Sequence, residues 1–179
     1  RLALGVLAAV ICVAAAMWLL DGRGLAFSKT LPIVVIDTFN ELTDFGRSTW
    51  FLVPIAVMIV IAAVAATPAA GRVANLAVTS VVVRLEFLFL AIAVPGLAVT
   101  VIKRLIGRVR PSDLGPFSYV PWSWRPEYAS LPSGHGTTAV AAAIAIGALW
   151  PKARVPMWTF AIIIAVSRVV TQAHFASDV

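Results

Sequence analysis

The chain has 179 residues, 61% of them hydrophobic and only 12% charged, with a formal net charge of +6. A soluble domain carries roughly 45–50% apolar and about 25% charged residues, so the composition excludes an ordinary water-exposed globule and points to a bilayer. The basic balance does not indicate nucleic acid either: no recognition module is visible, and cations beside apolar segments suit lipid headgroups or phosphate substrates.

Leu2–Leu20 is an uncharged run of nineteen residues, long enough to cross the hydrocarbon core. Arg1 in front of it raises a signal peptide as the rival reading, but the run is long for a signal core and no small-x-small cleavage site precedes Asp21. A retained helix is expected. The lone cysteine, Cys12, lies inside it and can form neither an internal disulfide nor a cysteine-based metal site. Asp21–Arg47 reads as a polar connection. Within it, Leu31–Phe45 spaces Leu31, Val34, Val35, Thr38, Phe39, Leu42 and Phe45 near the helical period, with Asp37, Glu41 and Asp44 between, which predicts an amphipathic interfacial helix.

Thr49–Thr67 is the second spanning candidate, with Pro54 in its first turns, where proline is best tolerated. Pro68–Glu86 is apolar but punctuated by Arg72, Arg84 and Glu86, and reads as an interfacial or re-entrant piece. Leu85–Ile102 is a cleaner span, with a kink expected at Pro95 and Gly96. Lys103–Leu131 is a polar loop rich in Pro and Trp. Gly136–Trp150 is a short alanine-rich helix whose small residues permit close helix packing. After a basic turn, a last helix begins at Pro156 and runs to about Val170. The expectation is an all-α polytopic bundle with about five spanning helices, forming a single membrane-embedded domain over residues 1–179. The chain starts without methionine and stops at Val179, so it reads as a fragment.

Three polar segments are not explained by the bilayer: KRLIGRVRP (103–111), PSGH (132–135) and SRVVTQAHFASD (167–178). With the N-terminus on the cytoplasmic side, all three fall at one membrane face. Lys103 and Arg110, seven apart, would share a face of a continuing helix. With Arg168 they supply fixed positive charge. Ser133 and Gly134 place a hydroxyl and backbone N–H groups at a helix start, a natural anion site, and glycine lets an oxyanion approach closely. These are the parts of a phosphate cradle. His174 and Asp178, four apart, would stack if helical. A carboxylate on one ring nitrogen leaves the other free to attack phosphorus, and His135 at the edge of the cradle can serve as acid and then base. Metal-assisted chemistry needs clustered carboxylates or several histidines. Near the motifs stand only Asp113, Glu127 and Asp178, so no metal or other cofactor is expected.

Lys103…Arg110-Pro111, Pro132-Ser133-Gly134-His135 and Ser167-Arg168…His174…Asp178 resemble, without substitution, the three signature motifs of the type 2 phosphatidic acid phosphatase superfamily, which shares its site with vanadium haloperoxidases. The motif core covers 103–178. The resemblance implies that Lys103, Arg110, Ser133, Gly134, His135 and Arg168 hold phosphate, with His174 as nucleophile, His135 as general acid and Asp178 as the partner of His174. It further implies six helices, a site facing the periplasm from a bacterial inner membrane, and a sixth helix starting near Asp178, beyond the sequence in hand.

The function so predicted is a metal-independent integral membrane lipid phosphatase that cleaves a phosphomonoester or pyrophosphate through a phosphohistidine. Its partners are the lipid phosphate substrate and membrane lipids, with no nucleic acid. The alternatives are a silent lipid-binding or transport protein with the same cradle, and a vanadate-dependent haloperoxidase. Arg104 and Arg108 read as headgroup contacts, Trp122 and Trp124 as interface anchors, and Arg84 and Glu86 as helix-end charges near the cytoplasmic surface.

Overall fold

The computed structural model describes residues 2–65, 71–111 and 115–179; the ends of the expected Thr49–Thr67 and Pro68–Glu86 segments, and Arg1 and Asp113, lie outside the described residues. Apolar runs with interrupting turn residues give seven helices among them: α1 (Leu2–Leu19), α2 (Asp21–Ser28), α3 (Ile33–Asp44), α4 (Thr49–Ala65), α5 (Gly71–Ile106), α6 (Gly134–Leu149) and α7 (Arg154–Val170). Short 3-10 turns occupy Pro126–Tyr128, Pro151–Ala153 and Ala176–Asp178. Among the described residues there is no strand, only an isolated antiparallel bridge between Arg108 and Tyr119. The all-α class expected from composition is therefore observed.

Each expected span has a helix, but the lengths differ. α3 and α4 together make one 33-residue apolar rod, Ile33–Ala65. The amphipathic stretch is thus the polar end of a span and not a separate surface element. The re-entrant piece is corrected too: residues 71–106 form one 36-residue helix with Pro95 inside it. At 1.5 Å per residue that is about 54 Å, well beyond a hydrocarbon core of about 30 Å. Its basic end, Lys103 and Arg104, accordingly has length enough to emerge at the surface. Pro151–Val170 is the third helix long and apolar enough to cross a membrane, and α1 with α2, bent by 46°, is a fourth candidate if taken as one span. α6, at sixteen residues, is apolar but shorter.

α6 is the centre of the bundle, packed against α5 and α7, with α4 on α5 and α3 on α7. Its buried face is small: Gly136, Ala139, Ala142, Ala143, Ala145 and Gly147. Small side chains let helix backbones approach closely where lipid supplies no hydrophobic driving force. Ala139 and Ala143 meet Ala161 and Ile164 of α7, with Val140, Met157 and Phe160 around them. The outward faces of α1 and α4 carry exposed Leu4, Val10, Ile11, Val57, Ile61 and Val64, as lipid contact requires. The chain is an integral membrane protein.

Candidate active site

α5 stops at Ile106 because Gly107 turns the chain at φ +64°. A Cβ there would lie 1.8 Å from the Val120 carbonyl oxygen, so only glycine fits. Lys103 and Arg110 therefore do not share a helix face, as the spacing had suggested. Arg110 sits instead on an extended segment. The Val109 N–H donates to the Ser118 carbonyl at 3.0 Å, that of Arg110 to Glu127 at 2.8 Å, and that of Ser130 to Arg108 at 3.1 Å. These bonds fold the 107–130 loop back over the end of the bundle.

The second motif opens α6. Ser133 is its N-cap, and its Oγ accepts the Gly136 N–H at 3.3 Å. The hydroxyl expected on phosphate is thus engaged as an acceptor in capping, a role serine favours at a helix start. The Ser133 N–H donates to the Asp178 carbonyl at 2.8 Å, which ties the second motif to the third. A Cβ on Gly134 would be 3.4 Å from the Lys103 Nζ, so the lysine stands directly over the bare backbone of Gly134.

The third motif leaves α7 at Val170 and turns. The Ala173 and His174 N–H groups both donate to the Arg168 carbonyl, at 3.1 and 3.0 Å. His174 and Asp178 are not stacked on an α-helix; a loop ending in the Ala176–Asp178 turn brings His174 Nδ1 to 3.7 Å from Asp178 Oδ2. That is an electrostatic contact, longer than a hydrogen bond. Arg168 donates from Nη1 to Thr43 Oγ1 at 3.0 Å, which links the site to α3.

The site residues act on one another electrostatically. Lys103 feels Arg110 and Arg168, and His135 feels Arg168 and His174. Burial holds the His174 imidazole below its usual pKa; Asp178 opposes this, and Arg168 and Arg110 reinforce it. For Asp178, burial works to raise the carboxyl, but His174, Arg108, Ser130 and the Phe175 N–H outweigh it and hold it below the usual carboxylate range. His174 is thus neutral and Asp178 ionised near neutral pH. Arg110 Nε, Arg168 Nε and His174 Nδ1 are buried with no hydrogen-bond partner among the described residues. Buried donors are normally paired, and two guanidinium edges left open beside an imidazole suit a polyoxygenated anion. Among the described residues, no three His, Cys, Asp or Glu side chains are grouped to hold a metal ion.

Sequence reasoning missed a buried layer behind the motifs. Arg108, expected at headgroups, is completely buried. It pairs with Asp21 at 2.6 Å and Asp178 at 2.5 Å and lies over the Phe175 ring, 4.5 Å from its centroid. Ser130 donates to Asp178 Oδ2 at 2.5 Å. The available signal was Asp21, an acid directly abutting the first apolar run. Arg104 donates to the Arg125 carbonyl at 3.1 Å and lies near Trp124; Trp122 and Trp124 are exposed.

Two cavities flank the site. One of about 570 Å³ lies among α4, α5 and α6, with His135, Gly134 and Arg47 in a wall otherwise shaped by Leu52, Ile92 and Leu97. One of about 730 Å³ reaches Ser133 and Asp178 from the side of Val13, Phe87 and Ile144.

A family model described as the PAP2 superfamily matches residues 85–179. A protein named Lipid A 1-phosphatase from Rhizobium etli is 34% identical over 152 residues, covering 83% of this chain and 65% of that protein. Another of that name, from Rhizobium johnstonii, is 41% identical over 96 residues, covering 52% of this chain and 39% of that protein. The chain thus spans less than two thirds of the length of either. No solved structure gives a significant match.

Proposed function

The chain belongs to the PAP2 superfamily, and on that premise we propose that it is one membrane-embedded lipid phosphatase domain with its motif core at 103–178. The observation that carries the proposal is the group of open donors, Arg110 Nε and Arg168 Nε, buried beside His174. Lys103, Arg110, Arg168 and the N–H groups that open α6 hold the phosphate. Ser133 shapes that opening and keeps its O–H proton for an oxygen.

In the first step a ring nitrogen of neutral His174 attacks phosphorus and the bond from phosphorus to the lipid oxygen breaks. His135, neutral in the empty site through burial and Arg168, takes up a proton as the phosphate's negative charge enters, and gives that proton to the leaving oxygen. In the second step water attacks the phosphohistidine; His135 takes the water's proton, the N–P bond breaks, and phosphate and free His174 result. Asp178 stabilises the charge on His174 in both steps, and the guanidinium groups stabilise the equatorial oxygens. Metal independence is part of the proposal, because the fixed cations supply the electrostatic work.

Both relatives are named Lipid A 1-phosphatase, which favours a lipid A phosphate as substrate. The apolar cavity ending at His135 suits the lipid portion of such a molecule. The proposed setting is the bacterial inner membrane, with the site facing the periplasm. The deciding experiment is phosphate release by the full-length protein from lipid A, phosphatidic acid, phosphatidylglycerol phosphate and undecaprenyl pyrophosphate, with and without EDTA. Turnover of a lipid phosphate that survives EDTA and is lost in His174→Ala is expected. Loss with EDTA rejects the metal-free reaction, and full activity in His174→Ala rejects the nucleophile. Labelling of Trp124→Cys, in a Cys12→Ser background, by an impermeant maleimide on intact spheroplasts tests the orientation.

A further inference from the structure

Asp21 and Arg108 lie outside the motif positions, yet both are completely buried and both are bound to the Asp178 network. Arg108 Nη1 donates to Asp178 Oδ1 at 2.5 Å and to Ser177 Oγ at 2.7 Å. Arg108 Nη2 donates to Asp21 Oδ2 at 2.6 Å. Asp21 also accepts the Ser177 N–H at 2.9 Å and the Ser177 O–H at 2.7 Å. One guanidinium therefore serves two carboxylates, and the far one also grips the backbone next to Asp178.

The arrangement has an electrostatic consequence. Arg108 and Asp178 alone would form a neutral buried pair, and a neutral pair offers His174 little help when the ring carries positive charge. Facing His174 are Arg168 from α7, Arg110 from the loop, His135 from α6 and Asp178 from the final turn. Asp178 is the only acid among them. A second carboxylate behind Arg108 restores one net negative charge to the group. We infer that Asp21 is a positioning residue for the active site: acting through Arg108, it aims the Asp178 carboxylate and keeps that carboxylate's charge effective at His174.

The meaning of this role rests on the phosphatase reading, but its test does not. The chain has two histidines, so selective 15N-histidine labelling of the full-length protein in detergent micelles gives two ring titrations, assigned with His174→Gln. Two carboxylate–guanidinium bonds and the 3.7 Å contact place the Asp21 charge roughly 10 Å from the ring. At an effective dielectric constant near 20 this corresponds to a shift of about one pH unit. Asp21→Asn removes a negative charge, disfavours the imidazolium, and should move the His174 titration down by about that amount.

Asp21→Asn with Arg108→Gln also removes the nearer positive charge, and should bring the titration back to its wild-type position or slightly above it. A merely structural residue predicts no shift in the single variant, or a larger departure in the double; either result overturns the inference. If the single variant does not fold, the double variant is read against Arg108→Gln: a His174 titration lower in the double upholds the inference, and the same titration in both overturns it. With lipid phosphate, Asp21→Asn should lower kcat and leave KM unchanged. A wild-type protein that turns over no lipid phosphate would refute the phosphatase reading and leave the titration result standing on its own.

Discussion

Replacing Gly107 by alanine tests whether the end of α5 is what delivers Arg108 and Arg110 to the site. Two penalties combine at this position. A Cβ on a left-handed residue costs about 1–2 kcal/mol, and here the Cβ would also lie 1.8 Å from the Val120 oxygen, 2.3 Å from its carbon and 2.8 Å from the Pro121 nitrogen. All three contacts are backbone, so no side-chain rotation relieves them. Moving that strand of loop breaks the 2.7 Å bond from the Val120 N–H to the Gly107 carbonyl, at about 0.5–1.5 kcal/mol, and displaces Arg108. A loss of about 1.5–3.5 kcal/mol follows from these parts. Gly115 is the internal control: its φ is +80° but nothing among the described residues lies within 4 Å of its Cβ position, so Gly115→Ala carries the conformational cost alone, about 1–2 kcal/mol. Thermal unfolding in detergent should place Gly107→Ala roughly 1–6 °C below Gly115→Ala, and phosphate release should collapse only in the former. Equal melting temperatures with full activity in both would show that the Gly107 turn does not set the site.

Other outcomes follow from the same geometry. Arg168→Lys keeps the charge but loses the fork, and should lower kcat/KM roughly 100-fold, about 2.7 kcal/mol; Thr43→Val, which removes the acceptor at 3.0 Å from Arg168, should cost only about five- to tenfold. Steady-state assays on both separate charge from orientation, and equal losses would contradict the division. Ser130→Ala removes a buried donor to Asp178 and should cost about 1–3 kcal/mol of stability, read by thermal unfolding; an unchanged melting temperature would sink this assignment. On the proposed mechanism His174 attacks only when neutral, and burial with Arg168 and Arg110 lowers its pKa against Asp178. Activity is therefore retained as the pH falls through 6.5 and is lost only at the lowered value. A pH profile of kcat/KM whose acid limb already begins above about pH 7 would contradict this sign.

The three motifs were legible because their residue types are costly in a bilayer and unusual at such spacing. The expected spans were legible from apolar run length, but α2 and the full length of α5 were not. Two local geometries were not. Lys103 to Arg110 has a helical interval, but Gly107 turns the chain between them; a glycine in a sequence does not announce its φ. His174 to Asp178 has the interval of an α-helical pair, but the segment folds as a loop with a 3-10 turn, because the Ala173 and His174 N–H groups both return to the Arg168 carbonyl. Arg108 looked like its neighbour Arg104. Nothing in KRLIGRVRP distinguishes a fully buried arginine from one lying near a tryptophan. Only the long-range partner Asp21, 87 residues away, settles the difference. The joining of residues 71–86 to α5 was hidden for a related reason: Arg72, Arg84 and Glu86 resemble breaks in a span, yet a helix of 36 residues is much longer than the roughly 20 residues a span needs.

Charge balance links this buried layer to the kind of guest the site accepts. Lys103, Arg110 and Arg168 act on one another with the same sign, and the Asp21–Arg108–Asp178 group contributes one net negative charge from behind His174. The formal sum is two positive charges, facing a set of open guanidinium edges. A phosphomonoester near neutral pH carries about −1.5 to −2, so such a guest relieves the mutual repulsion of the cations and pairs donors that the protein leaves open. A phosphodiester, with one charge, would satisfy half of that balance. It would also present an esterified oxygen where Arg110 or Arg168 needs an acceptor. On the proposed function, selection of terminal phosphates over internal ones would follow from this electrostatic balance without a dedicated steric gate.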